Sequence, residues 1–160
     1  MTTISTPDLC DEFGDNVQVA EPLFKHFGAV KAFGGPIATI KCFEDNSLVA
    51  EAVATPGEGR VLVVDGGGSL RRSLLGDNLA QKAVDNGWAG IVIYGALRDV
   101  EEIEPMSIGV MAMASVPRKT EKRGEGQRDI ALQFASIQCK LGDYLYADGT
   151  GVIIANKKLI

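Results

Sequence analysis

The residues of this chain best suited to chemistry stand in two short clusters, Gly76-Asp77-Asn78-Leu79 and Arg98-Asp99, with 20 residues between Asp77 and Arg98. A Gly-Asp pair at the apparent start of a helix offers backbone N–H groups to a carboxylate or a phosphate. Arg98 carries a planar fork of donors that fits a carboxylate or an enolate oxygen. Asp77, Asp99 and nearby Glu102 are hard oxygen ligands, which suit Mg²⁺ or Mn²⁺ better than zinc. Each also has a plainer use. Asp77 suits a helix cap, and Arg98 with Asp99 suits a surface ion pair and a cap for the segment 99–104.

Other catalytic sets are thin. His26 is the single histidine, and nothing in "LFKHFG" marks a nucleophile–base pair. A Ser-His-Asp or Cys-His arrangement and a multi-histidine metal centre are therefore disfavoured. The three cysteines, Cys10, Cys42 and Cys139, are far apart and never form C-x-x-C, which argues against a disulfide framework or a cysteine zinc site and fits a reducing cytoplasm. "GGGSLRRS" lacks the Gly-Lys-Ser/Thr of a phosphate loop, so its glycines are better read as permitting a tight backbone path beside the site.

The elements around the clusters decide whether they meet. "RVLVVD" and "AGIVIYG" are continuous apolar strands, 60–64 and 89–94, of the kind buried on both faces. Between them "DNLAQKAVDNG" reads as a helix from about 78 to 86, with Gly87 as terminator. A helix of about nine residues spans ~13 Å, and a strand of about six spans ~20 Å. A strand–helix–strand crossover of these lengths returns both clusters to one rim, outside the carboxyl ends of the strands, where open α/β sheets bind ligands. "SLRRSLL" (69–75) competes with this reading as a short strand of its own.

Elsewhere Thr6 as N-cap, Pro7 at the first helical position and Gly14 as stop predict a helix over 7–13. A second helix is capped near Asn46 and ends before Pro56-Gly57. Further strands are expected at 36–43, 108–115, 129–138 and 151–155. The order predicts one domain over 1–160, with α/β layers around a mixed sheet. An apolar fraction of 46% and a charged fraction of 23% are ordinary for a globular protein. There is no apolar run of membrane-spanning length and no leader pattern near Met1–Thr6. A net charge of −5 argues against direct nucleic-acid binding. "RKTEKRGEGQR" (118–128) is the local exception and reads as a solvated loop or a partner contact.

The spacing of Asp77, Arg98 and Asp99, with Glu102 three further, resembles the signature of the RraA-like family. That family includes metal-dependent 4-hydroxy-4-methyl-2-oxoglutarate aldolases and the regulator of ribonuclease activity A. "CDEFGDNVQVAEPLF", "FGGPIATIKCFEDNSL", "GRVLVVDGGGSLRRSLLGDNLA", "GIVIYGALRD" and "GDYLYADGTGVII" are similar to family segments nearly end to end. The compact length and the first two segments look closer to the regulator branch; the intact Arg98-Asp99 looks like the aldolase branch. The resemblance implies a layered, swivelling β/β/α domain, a homotrimer with sites near subunit boundaries, and a cytoplasmic protein. It implies that Gly76, Asp77, Asn78 and Leu79 bind a substrate carboxylate, and that Arg98 binds the C2 oxygen of a pyruvyl unit and stabilises the enolate. Asp99 would ligate Mg²⁺ or Mn²⁺, and Asp77 would hold a proton-exchanging water. Three functions remain open at this point. One is a metal-dependent pyruvate aldolase that cleaves 4-hydroxy-4-methyl-2-oxoglutarate, with oxaloacetate decarboxylation as a second activity. Another is a protein-binding regulator of ribonuclease E. The third is a family scaffold whose substrate is another small oxo acid.

Overall fold

The computed structural model describes residues 3–160. In chain order the elements are α1 (Thr6–Phe13), β1 (Val17–Val19), β2 (Lys25–His26), β3 (Phe33–Lys41), α2 (Ser47–Val53), β4 (Val61–Asp65), α3 (Asp77–Asp85), β5 (Gly90–Leu97), α4 (Val100–Ile103), β6 (Gly109–Ser115), β7 (Gln127–Arg128), β8 (Leu132–Phe134), β9 (Ile137–Cys139), β10 (Tyr144–Ala147) and β11 (Val152–Ala155). Strands β3, β4, β5 and β6 pair in parallel, each joined to the next through a helix. Antiparallel β10, β11 and β1 extend one side of this centre and β2 the other, so the sheet is mixed. The expected strand–helix–strand crossover is β4–α3–β5.

The alternation of side chains along the parallel strands sorts the core into layers. Ile40, Leu62, Val64, Ile91 and Ile93 face Val49, Ala52 and Val53 of α2 and Ala80 and Ala83 of α3. Ile37, Val61, Val63 and Val92 face the other way, against the β8–β9 hairpin and Leu145 and Ile154 of β10 and β11. All five residues of β4 are buried, as its continuous apolarity predicts. Helix α1 covers a third patch, where Leu9 packs on Tyr146 and Ile153.

Several expectations shift. The N-cap of α1 is Ser5, whose Oγ accepts from the Asp8 N–H at 3.3 Å. Thr6 is the first helical residue, and its N–H and hydroxyl both donate to Asp148, at 2.7 Å each. The strand expected at 129–138 is broken: Ala135 and Ser136 take positive φ (49° and 63°) and turn the chain into the two-residue loop between β8 and β9. Positive φ at both loop positions is what a tight hairpin requires, and it normally calls for Asn or Gly. The segment 69–75 is not a strand. Only Ser73 pairs, through isolated bridges to Ala96 and Lys119. Strands β1, β2 and β10 carry no signal long enough to read from sequence.

Candidate active site

The two clusters meet. Gly76 is the N-cap of α3 and Asp77 its first residue, so the helix starts one position earlier than expected. The Asp77 N–H donates to Asp99 Oδ2 at 3.0 Å, and the Arg98 N–H donates to the Leu75 carbonyl at 2.9 Å. Asp77 Oδ1 accepts from the Asn78 N–H at 2.8 Å. The first two amides of the helix are thus already in contact with carboxylates, the partner that a helix N-terminus favours.

The presentation of Arg98 and Asp99 follows from local backbone features. The β5–β6 register shifts between Ile93 and Ala96, and beyond the bulge β5 also bonds to residues before α3: the Leu74 N–H donates to the Ala96 carbonyl at 2.9 Å. A bulge of this kind re-aims the end of a strand. Asp99 then adopts φ 60° and ψ 46°, a left-handed conformation that aspartate tolerates better than most residues. Asp99 stands at the N-cap of α4, yet its side chain makes no capping bond there and turns to Asp77 instead. A Cβ at Gly76 would lie 2.7 Å from Asp99 Oδ2, so a side chain there would push that carboxylate aside.

Arg98 Nε stands 3.9 Å from Asp99 Oδ2, with the two side chains 39% and 32% exposed. Water screens a pair at that distance, and it adds little to stability. Among the described residues Arg98 is otherwise held only by a 3.4 Å bond from Nη1 to the Pro117 carbonyl. A half-exposed guanidinium with so few partners is available to a ligand.

These residues line a cleft of about 490 Å³ that also includes Asn46, Ser73, Lys119, Thr120, Glu121 and Lys122. Gly76, Asp77, Asn78, Leu79, Arg98 and Asp99 all line it. Glu102 does not; it is exposed on α4. The residues from 119–122 belong to the segment expected to be a solvated loop. Their role was hidden because mixed Lys and Glu without periodicity carry no sign of what holds them.

The remaining candidates resolve structurally. His26 Nε2 donates to the Asp148 carbonyl at 2.7 Å and the ring meets Phe33 edge-on, so the histidine serves packing. The amides of Gly66 and Gly68 bond to the Tyr94 carbonyl and that of Gly67 to Asp65 Oδ1, which accounts for the N–H groups a phosphate would need. Burial pushes the Cys42 and Cys139 thiols up to about 12, so neither supplies a thiolate near neutral pH.

A sequence profile of the RraA-like family (Aldolase/RraA) matches residues 6–154. The chain belongs to the RraA-like family. A relative from Pseudomonas fluorescens, provisionally named 4-hydroxy-4-methyl-2-oxoglutarate aldolase, is 58% identical over 154 residues, covering 96% of this chain and 94% of its own. Two solved structures share the RraA-like fold closely. One, from Geobacillus kaustophilus and described as an S-adenosylmethionine:2-dimethylmenaquinone methyltransferase, is 51% identical, with a TM-score of 0.96 over 98% of this chain and 97% of its own. The other, the RNA-processing inhibitor RraA from Thermus thermophilis, is 40% identical, with a TM-score of 0.95 over 99% and 96%. The layered α/β architecture and mixed sheet expected from the sequence are those of this family.

Proposed function

We propose that this RraA-like protein is a divalent-metal-dependent aldolase that cleaves 4-hydroxy-4-methyl-2-oxoglutarate to two pyruvates and decarboxylates oxaloacetate at the same site. The observation that carries the reading is the 3.0 Å contact between the Asp77 N–H and Asp99, which gathers Asp77, Arg98 and Asp99 into one cleft. The name of the Pseudomonas fluorescens relative supports it.

The donor set fits a hard dication. Asp99 and Asp77 offer oxygen, and no cysteine or histidine lines the cleft. Among the described residues no group of three or more His, Cys, Asp or Glu forms a closed cage. One or two carboxylates with water completing the shell is how proteins usually hold Mg²⁺. Asp99 would bind the ion, which when present supplies Lewis-acid polarisation of the 2-oxo group worth several kcal/mol.

The chain's own residues do the rest. The helix start receives the C1 carboxylate by exchanging Asp99 for it at the Asp77 N–H, one carboxylate for another. Arg98 donates to the C2 oxygen, where negative charge gathers as the C3–C4 bond breaks, and a preorganised donor of this kind contributes about 10²–10³ in rate. In the retro-aldol step the C4 hydroxyl loses its proton and C3 gains one. Asp77 holds the water that delivers the proton to C3. Loss of CO2 from oxaloacetate leaves the same enolate, so the same residues serve both reactions.

Pyruvate release tests this. Turnover should require Mg²⁺ or Mn²⁺, stop with EDTA, and fall at least about 10²-fold in Arg98→Ala and Asp99→Ala. A wild-type protein with no metal-dependent turnover on either substrate overturns the proposal. The 40% identity to the Thermus inhibitor favours a second reading, a protein-binding regulator of ribonuclease E. Inhibition of that enzyme surviving both substitutions would support it.

A further inference from the structure

The part of the cleft wall outside 76–79 and 98–99 is built largely by residues 119–122, within a strap, 118–126, that forms neither helix nor strand. A segment without its own hydrogen-bond ladder must be held by something else, and here it is held by three consecutive residues at the start of α2. Asp45 is 2% exposed. Its Oδ2 accepts the Arg123 and Glu125 N–H groups at 2.8 and 3.1 Å, while Oδ1 accepts the N–H and hydroxyl of Ser47 at 2.9 and 2.6 Å. Ser47 Oγ in turn accepts the Gly124 N–H at 3.1 Å. The buried Thr120 hydroxyl donates to Asn46 Oδ1 at 2.8 Å. Three successive amides of the strap therefore converge on two side chains.

The strap sets down two cations. Lys119 and Lys122 line the cleft, and neither enters an ion pair among the described residues. The acidic residue between them, Glu121, is paired with Arg123 at 3.3 Å. The strap thus presents a net positive face to a cleft whose other cation is Arg98.

We infer that Asp45 is a positioning residue whose carboxylate fixes the 118–126 strap, so that Lys119 and Lys122 form a second cationic pole that holds the distal carboxylate of a 2-oxo dicarboxylate. This rests on the proposed binding of the 2-oxo acid head by Arg98 and the start of α3. The bonds at Asp45 also outweigh the cost of its burial. Desolvation alone would raise the carboxyl, but donation from Ser47, Glu125 and Arg123 brings it down to about 2, so it stays charged at any working pH.

Calorimetric titration with Mg²⁺ present compares 2-oxoglutarate, which has no 4-hydroxyl and cannot undergo the cleavage, with 2-oxopentanoate, which lacks only the distal carboxylate. Wild-type protein should bind the dicarboxylate about fivefold tighter, the upper end for an exposed ion pair. The double variant K119A/K122A should lose that preference while its affinity for 2-oxopentanoate stays unchanged. Asp45→Asn should lose the preference too, with faster amide hydrogen exchange at 123–125, and Ser47→Ala should weaken both in part. Equal binding of the two acids by wild type, or a preference and amide protection kept intact in Asp45→Asn, would overturn the inference. If Asp45→Asn does not fold, the two exposed lysines decide the distal-pole half and Ser47→Ala the clasp. Pyruvate release plays no part, so a chain that discriminates the acids without cleaving substrate refutes the aldolase and leaves the second pole standing.

Discussion

At the scale of single residues, the site turns on a position with no side chain. Gly76 has φ −125°, which any residue can adopt, so its requirement for glycine is not conformational. It is spatial: the Asp99 carboxylate occupies the place of a Cβ. Gly76→Ala should therefore displace Asp99 while leaving the fold nearly intact. We expect kcat/KM for pyruvate release to fall about 10²-fold, as displacement of a reacting group by about 1 Å can produce. The melting temperature should drop by only about 2–4 °C, since the lost cap is worth about 1 kcal/mol in a chain of this size. A large fall in melting temperature, or activity left unchanged, would contradict this account. Asp77, Arg98 and Asp99 were legible in the sequence because charged residues at the two ends of a strand–helix–strand unit must share a rim. The 118–126 wall was not. Its clasp joins residues 45–47 to residues 120–125, and no local pattern records a pairing over that separation.

At the scale of elements, the parallel centre was readable because continuous apolar runs are unusual and specify burial on both faces. The β8–β9 turn was not, because Ala135 and Ser136 are not residues that favour positive φ. Tertiary burial of Leu132, Phe134, Ile137 and Cys139 imposes the turn instead. A second element-level constraint concerns Gly90 and Gly109, which lie directly across from each other in the β5–β6 register. A Cβ at either would overlap the Phe33 ring, so the two glycines form a flat floor for that ring. Gly109→Ala should destabilise the protein by about 1–3 kcal/mol, as overpacking of a tight core does. The urea midpoint should fall with an unchanged slope, and Phe33→Leu in the same background should recover part of the loss. If the alanine proves neutral, the floor is softer than its contacts imply.

At the scale of the whole molecule, two carboxylates, one buried and one half-buried, tie irregular segments to the layered core. Asp45 holds the strap, and Asp148 receives α1 through Thr6 and its own turn through Thr150 and Gly151. Burial would raise the Asp148 carboxyl, but donation from Thr6, Thr150 and Gly151 outweighs it and lowers it as well. A carboxyl lowered by folding contributes stability that is complete above its unfolded value and is lost as pH falls through its folded value. For Asp45 that window runs from about 3.8 down to about 2, and the contribution at neutral pH is about 2 kcal/mol. The stability difference between wild type and Asp45→Asn, measured by urea denaturation, should therefore shrink to a small fraction of its neutral value by about pH 2. A difference that does not change across this range would remove Asp45 from the account.

Asp99 stands on a left-handed backbone corner. Asparagine and glycine adopt that conformation as readily as aspartate does. The corner dictates shape and is indifferent, among these three, to charge. A single codon change can thus silence the carboxylate without disturbing descent of the scaffold. Shape and charge are therefore separable at this corner.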